Sequence, residues 1–189
     1  MNALGAIAAR LAFTSEPVDQ HRLLTGYLAA LDPAERESAA RLLGEPSWAR
    51  RIRLSALRNI VREQQGEQLY ALSLDFVSET TETIALLWQP RPGSNRPPLP
   101  SDILQGMAEL GPTKRLRALH AWLDACDVDG RHFLIRLATG SLKPPASVHV
   151  LTRAFASAGV QFQPSEQPGT RLTSSQPDLF ETKSVPHAG

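Results

Sequence analysis

Apolar positions recur along this chain at three- and four-residue steps, the spacing that gathers side chains on one face of an α-helix. Leu4, Ile7, Ala8 and Leu11 make the first stripe, and Leu23, Leu24, Tyr27, Leu28 and Leu31 the second. Asp32-Pro33-Ala34-Glu35 then has the form of a capping box with proline in the first helical position. Ala39, Leu42 and Leu43 continue that helix until Gly44 stops it. Ser47 is placed to cap the next one, whose face is Leu54, Leu57, Ile60 and Val61 and which ends at Gly66. Leu69, Leu72, Leu74, Phe76 and Val77 form a further run, and Ile84 to Trp88 another. Beyond a break, Ser101 or Asp102 starts a helix with Ile103, Leu104 and Met107. Gly111-Pro112-Thr113 separates it from the face of Leu116, Leu119, Trp122 and Leu123. Asp129-Gly130 reads as a turn. Phe133, Leu134 and Leu137 follow, then Val148, Leu151 and Phe155, with Gly159 as the final stop. No strand alternation and no fixed-period repeat interrupts this order.

The pattern predicts an all-α, multi-helix domain over residues 1–162. Two stretches break it. "QPRPGSNRPPLP", from Gln89 to Pro100, holds five prolines and is predicted to be an exposed, partly extended connection. From Gln163 onward the chain is rich in Pro, Ser, Thr and Gln, so residues 163–189 are predicted to be a disordered tail.

Length and charge narrow the function. The 189 residues suit one domain of ordinary size. The formal charge is +1, so an anionic partner has to be met by a local patch and not by bulk charge. The single cysteine, Cys126, excludes an internal disulfide and any multi-cysteine metal site. Its helical spacing from Leu119, Trp122 and Leu123 predicts a small buried hydrophobe. No apolar run reaches ~18 residues and the N-terminus lacks a signal-peptide pattern, so no membrane partner and a cytoplasmic location are expected. The five histidines, His21, His120, His132, His149 and His187, show no ligand spacing with cysteine or acid partners. No phosphate-binding Gly-Lys loop and no dinucleotide fingerprint is present, so neither metal nor cofactor is expected. Asp129-Gly130 follows Asp127 where a nucleotidyl-transfer motif has its lysine nucleophile. No catalytic residue is expected, and the chain is read as a non-enzyme.

The basic residues cluster. Arg50, Arg51, Arg53, Arg58 and Arg62 fall within thirteen residues that hold no acid. On a helix, Arg51, Arg58 and Arg62 share a face opposite Leu54, Leu57 and Val61, which describes either a solvated face or an anion-binding one. A second group comprises Lys114, Arg115, Arg117, Arg131, Arg136, Lys143 and Arg153, against Asp124, Asp127 and Asp129. It flanks "LATGSLKPPASVHVLTRAF", where one helix ends at Thr139-Gly140 and another opens at Ala146-Ser147. A helix start offers unpaired N–H groups and a positive dipole end, and Lys143 adds charge there. A plain helix-helix corner and a phosphate seat both fit that stretch.

Three stretches, "RLLTGYLAALDPAERESAARLLG", "LDFVSETTETIALLWQP" and "GRHFLIRLATGSLKPPASVHVLTRAFA", together resemble the N-terminal helical DNA-binding domain of ATP-dependent DNA ligases, most closely the bacterial multidomain type. They occur in the family's order and cover about residues 1–160. The resemblance implies an all-helical module that grips duplex DNA through its minor groove and backbone around a nick, while separate adenylation and OB-fold domains do the joining. Thr139, Gly140, Lys143 and Ser147 match its Thr-Gly-x-x-Arg/Lys-x-x-x-Ser pattern. Ser141 stands where the family has a second glycine, and Pro145-Ala146 where it has Gly-Val. The proline removes one backbone donor near the sugar-phosphate chain. No adenylation lysine motif and no OB-fold accompany the helical part, so no ligase activity is expected of the chain by itself. Lys114, Arg131, Arg136, Lys143, Ser147 and Arg153 are the expected DNA contacts with Thr139 and Gly140, and Arg51, Arg58 and Arg62 a further set.

In the tail, Gln176-x-Asp178-Leu179-Phe180 resembles the short peptide by which bacterial replication and repair proteins bind the sliding clamp. There glutamine hydrogen-bonds at one pocket and the Leu-Phe pair fills an apolar one. The resulting expectation is noncatalytic binding of duplex DNA at nicks or ends, through backbone and minor-groove contacts, in DNA repair or ligation, by a nucleoid-associated cytoplasmic protein. Two alternatives stand beside it: the DNA-binding half of a split ligase with a separate catalytic subunit, and a helical protein-interaction scaffold without DNA binding. Replacing Leu179 and Phe180 with alanine is expected to abolish sliding-clamp pull-down and to leave DNA binding intact; unchanged pull-down ends the clamp assignment.

Overall fold

A computed structural model describes residues 1–45, 52–93 and 96–161. Among them are ten helices and no strand: α1 (Asn2–Ala12), α2 (Pro17–Ala29), α3 (Pro33–Gly44), α4 (Leu54–Gln65), α5 (Glu67–Val77), α6 (Thr80–Leu87), α7 (Pro100–Glu109), α8 (Pro112–Ala125), α9 (Val128–Thr139) and α10 (Val148–Ser157). The all-α class read from the periodicity holds. Arg51, Ser47 and the tail residues Gln176, Asp178, Leu179 and Phe180 lie outside the described residues.

The apolar stripes meet in one core. Leu4 and Leu11 of α1, Leu24 and Leu28 of α2, Leu42 and Leu43 of α3, Leu57 and Val61 of α4, Ile84 of α6 and Phe155 of α10 are all buried there. Helix α9 contributes Phe133, Leu134, Ile135, Leu137 and Ala138, and packs against α1 and α6, while α10 packs against α2. Cys126 is buried as its spacing implied.

One helix cap and two helix starts differ from their sequence reading, each for a local reason. Asp32 is the N-cap of α3, but its side chain makes no cap bond. Glu35, the other half of the expected box, is drawn across to α7, where its carboxylate accepts from the Ser101 amide at 3.1 Å and from the Ser101 hydroxyl. Helix α7 begins at Pro100, whose missing N–H costs nothing in the first helical position, and Asp102 accepts from the Leu99 amide at 2.9 Å. Asp129-Gly130 is not a turn. Both residues lie in the first turn of α9, and Asp127 caps it by accepting from the Gly130 amide at 2.8 Å.

Helix α5 splits its expected apolar run between two faces. It buries Tyr70 and half-buries Leu74 and Val77, whereas Leu69, Leu72 and Phe76 are exposed. The two sets lie at 70, 74, 77 and at 69, 72, 76, so both have helical spacing, and periodicity cannot say which one meets the core.

The proline-rich connection between α6 and α7 is held by a buried carboxylate. Asp124 of α8, 1% exposed at its side chain, accepts from Trp88 Nε1 at 2.8 Å and from Arg91 Nε at 2.6 Å. A buried charge of this kind is tolerable because both oxygens are satisfied, one of them by a guanidinium.

Helices α1 and α9 meet closely at two glycines. A Cβ on Gly5 would lie 2.5 Å from the Asp129 carbonyl, and one on Gly130 would lie 2.8 Å from Asn2 Oδ1. Gly5→Ala is therefore expected to force the two helices apart and to lower stability by about 1–3 kcal/mol. Denaturant unfolding measures this as a lower midpoint at unchanged slope; an unshifted midpoint would show that the crossing yields freely.

Candidate nucleic-acid interface

The last turn of α9 is closed by two hydrogen bonds. The Ser141 amide donates to the Arg136 carbonyl at 2.9 Å, and the Gly140 amide to the Leu137 carbonyl at 3.1 Å. This pair defines a Schellman stop, with Gly140 left-handed at φ 74°. Glycine fits there because a Cβ is disfavoured at such an angle. The Leu142 amide also reaches the Arg136 carbonyl, at 3.0 Å. Thr139 donates its hydroxyl proton back to the Ile135 carbonyl at 2.8 Å, and Ser141 Oγ sits 3.1 Å from Thr139 Oγ1. The extra hydroxyl at 141 thus finds local partners. Thr139, Gly140 and Ser141 build the turn, which is open to solvent at Ser141 and Lys143.

Pro144 and Pro145 then deliver the chain rigidly to α10. Ser147 caps that helix, its Oγ accepting from the Val150 amide at 3.3 Å, and keeps a hydroxyl proton to donate outward. Among the described residues no acceptor takes the amides of Val148 and His149. Both residues are exposed, so the open end of α10 faces solvent.

Two recesses flank the turn. One, of about 450 Å³, runs between α1 and the α9–α10 connection. Ala8, Ala9 and Ala12 line one side, with Phe13 beyond them, and Leu142 and Pro145 the other. Arg136 and Lys143 both border it, and so do Glu82, Asp129 and His132. The other, shallower recess of about 660 Å³ is bordered by Thr139, Ser141, Glu79 and Arg53. Arg53 is carried there because the Ile52 amide donates to the Ala138 carbonyl at 2.7 Å, tying the start of α4 to the end of α9. No sequence signal marked Arg53 as a neighbour of this turn, since the tie is a backbone bond between distant segments. A small third recess holds Arg153 with His21 and His149, on the α10–α2 side.

The remaining cations divide. Arg58 and Lys114 are exposed, Arg58 on α4 and Lys114 in the first turn of α8. Arg62 forms an ion pair with Glu67, so its charge is offset on the spot. Arg131 donates through Nε to the Leu123 carbonyl at 2.9 Å, serving the end of α8. Arg115 is buried and donates to the Leu110 carbonyl, so it leaves the basic surface altogether. Arg136 and Lys143 are the expected contacts that the fold does bring together.

Beside the turn, Glu79 caps α6. Its carboxylate accepts from the amides of Thr81 at 3.2 Å and Glu82 at 2.5 Å and from the Thr81 hydroxyl at 2.7 Å. His132 Nε2 lies 3.1 Å from that hydroxyl and 3.3 Å from Glu79 Oε2. Acid and hydroxyl both meet the same ring nitrogen, whereas a nucleophile-base-acid relay needs them on opposite nitrogens. The cluster is a clasp that joins α6 to α9. Burial pushes the Cys126 thiol up to about 11, away from thiolate chemistry at neutral pH.

Partial burial raises the Glu79 carboxyl, but the bonds from Thr81 and Glu82 and the nearby His132 outweigh it, and the net shift is downward. A carboxyl held below its ordinary 4.5 adds stability that is complete above that value and is lost as pH falls through the lower, folded one. Glu79→Ala is expected to cost about 1 kcal/mol at pH 7 and progressively less in acid below pH 4. Unfolding midpoints of the two proteins across pH 2–7 measure it, and a difference independent of pH would assign the loss to packing instead.

Compared with known proteins, the chain matches no family model and no curated protein.

Proposed function

We propose that this chain binds duplex DNA without catalysing a reaction on it, through the phosphate backbone and minor groove, at nicks or ends, in repair or ligation. The observation that carries the reading is the pairing of Arg136 and Lys143 along one groove, beside an exposed turn that ends at the uncapped amides of α10. Cations, a hydroxyl donor on Ser147 and a positive helix end all suit phosphate oxygens. Arg153 borders a separate recess on the α10–α2 side, and Arg53 borders the recess on the other side of the turn. The resemblance of the sequence to the ligase DNA-binding domain supports the same partner. On this reading the protein is nucleoid-associated in the cytoplasm, a separate ligase catalytic subunit would supply sealing, and Gln176, Asp178, Leu179 and Phe180 would supply a sliding-clamp contact.

One observation favours the scaffold alternative: the outward stripe of Leu69, Leu72 and Phe76 on α5, an apolar face of the kind that protein partners cover. The two readings part on salt. With Arg136, Lys143 and Arg153 each neutralising one phosphate, log K for nicked duplex is expected to fall with log salt at a slope of about −2.7. Lys143→Ala is expected to weaken binding and to flatten that slope by about one. Fluorescence anisotropy at several salt concentrations measures both. No binding at low salt would overturn the DNA reading and leave the scaffold.

A further inference from the structure

The groove between α1 and the α9–α10 turn has a composition that phosphate binding alone does not explain. Its bed is apolar, from Ala8, Ala9 and Ala12, and Phe13 at its end is 92% exposed. Its polar border carries both signs, with Arg136 and Lys143 set against Glu82 and Asp129. Neither of those carboxylates has a hydrogen-bond or ion-pair partner for its side chain among the described residues. An occupant anionic along its whole length, such as an acidic peptide lying in the groove, would meet two like charges there.

A nucleotide divides its chemistry in the way the groove does. It has one anionic group, a sugar with apolar C–H faces, a flat π face, and base-edge N–H groups that carboxylates accept from. The volume of about 450 Å³ lies within the ~300–1,000 Å³ of small-ligand clefts, room enough for one such unit. We infer that this groove receives a single unpaired nucleotide at the end or gap of a duplex. Lys143 and Arg136 take its phosphate, Phe13 stacks on its base, and Glu82 and Asp129 accept from the base edge. The inference rests on the DNA-binding reading and narrows it from any nick to ends that carry an unpaired base.

Three otherwise identical labelled duplexes test it in anisotropy titrations: blunt, with a one-nucleotide overhang, and with the same overhang lacking its base. The overhang with its base is expected to bind at least about fivefold tighter than the abasic one. Phe13→Ala, at an exposed position whose loss leaves the core untouched, is expected to bring those two within about twofold while blunt-duplex affinity stays unchanged. Equal affinity for the two overhangs in the wild-type protein would overturn the inference and leave duplex binding standing. A preference that survives Phe13→Ala would overturn the stacking role assigned to that ring. Failure of all three duplexes to bind at low salt would overturn both readings together.

Discussion

The place where Gly5 of α1 lies directly on the backbone of α9 governs the groove beside it. Gly5 rests against the Asp129–Gly130 backbone, and Gly130 has Asn2 and Asp127 where a Cβ would go. Two helices this close share a line of contact along their length, so the residues that follow Gly5 on α1 must run beside those that follow Gly130 on α9. Ala8, Ala9 and Ala12 are small enough to leave a groove there, and Arg136 borders its far side. The groove that Arg136 borders inherits its position from this approach.

Arginine serves two purposes in the fold, and only one of them is visible as surface charge. Arg36 donates to the Leu28 and Leu31 carbonyls at the end of α2, at 2.9 and 3.0 Å, and to the Ala158 carbonyl at the end of α10, at 2.9 Å. Arg115 and Arg131 act likewise on the ends of α7 and α8. Helix C-termini leave carbonyls unpaired and carry partial negative charge, and a guanidinium satisfies several at once with donors in a fixed plane. These residues hold helices in register. Arg136, Lys143 and Arg153 face outward instead.

That division explains what was legible in the sequence. Helix existence was legible nearly everywhere, because the 3.6 period and the Gly and Pro stops are local signals. The turn at Gly140 and the cap at Ser147 were legible for the same reason. Asp129-Gly130 misled because the pair favours turns on its own, while here its glycine is set by the neighbouring α1 and its aspartate falls inside a capped first turn. Helix α5 misled because it carries two apolar faces, and only packing chooses between them. Counting arginines overstated the basic surface, since Arg115 and Arg131 fold back onto carbonyls five and eight residues earlier, at the ends of the preceding helices, and a charge count does not see those bonds. Arg53 and Phe13 went unread as neighbours of the turn because one backbone bond and one helix crossing put them there.

Helix α9 also works as a ruler. Its first turn is fixed by Asp127 and the α1 crossing, and its last by the Gly140 stop, so both ends are anchored. Twelve residues at 1.5 Å each separate them by about 18 Å, with Arg136 at a set angle around the axis. Adding one residue between the anchors would swing that guanidinium by about 100° and lengthen the span by only ~1.5 Å. The length of this one helix is bound to the chemistry of the groove.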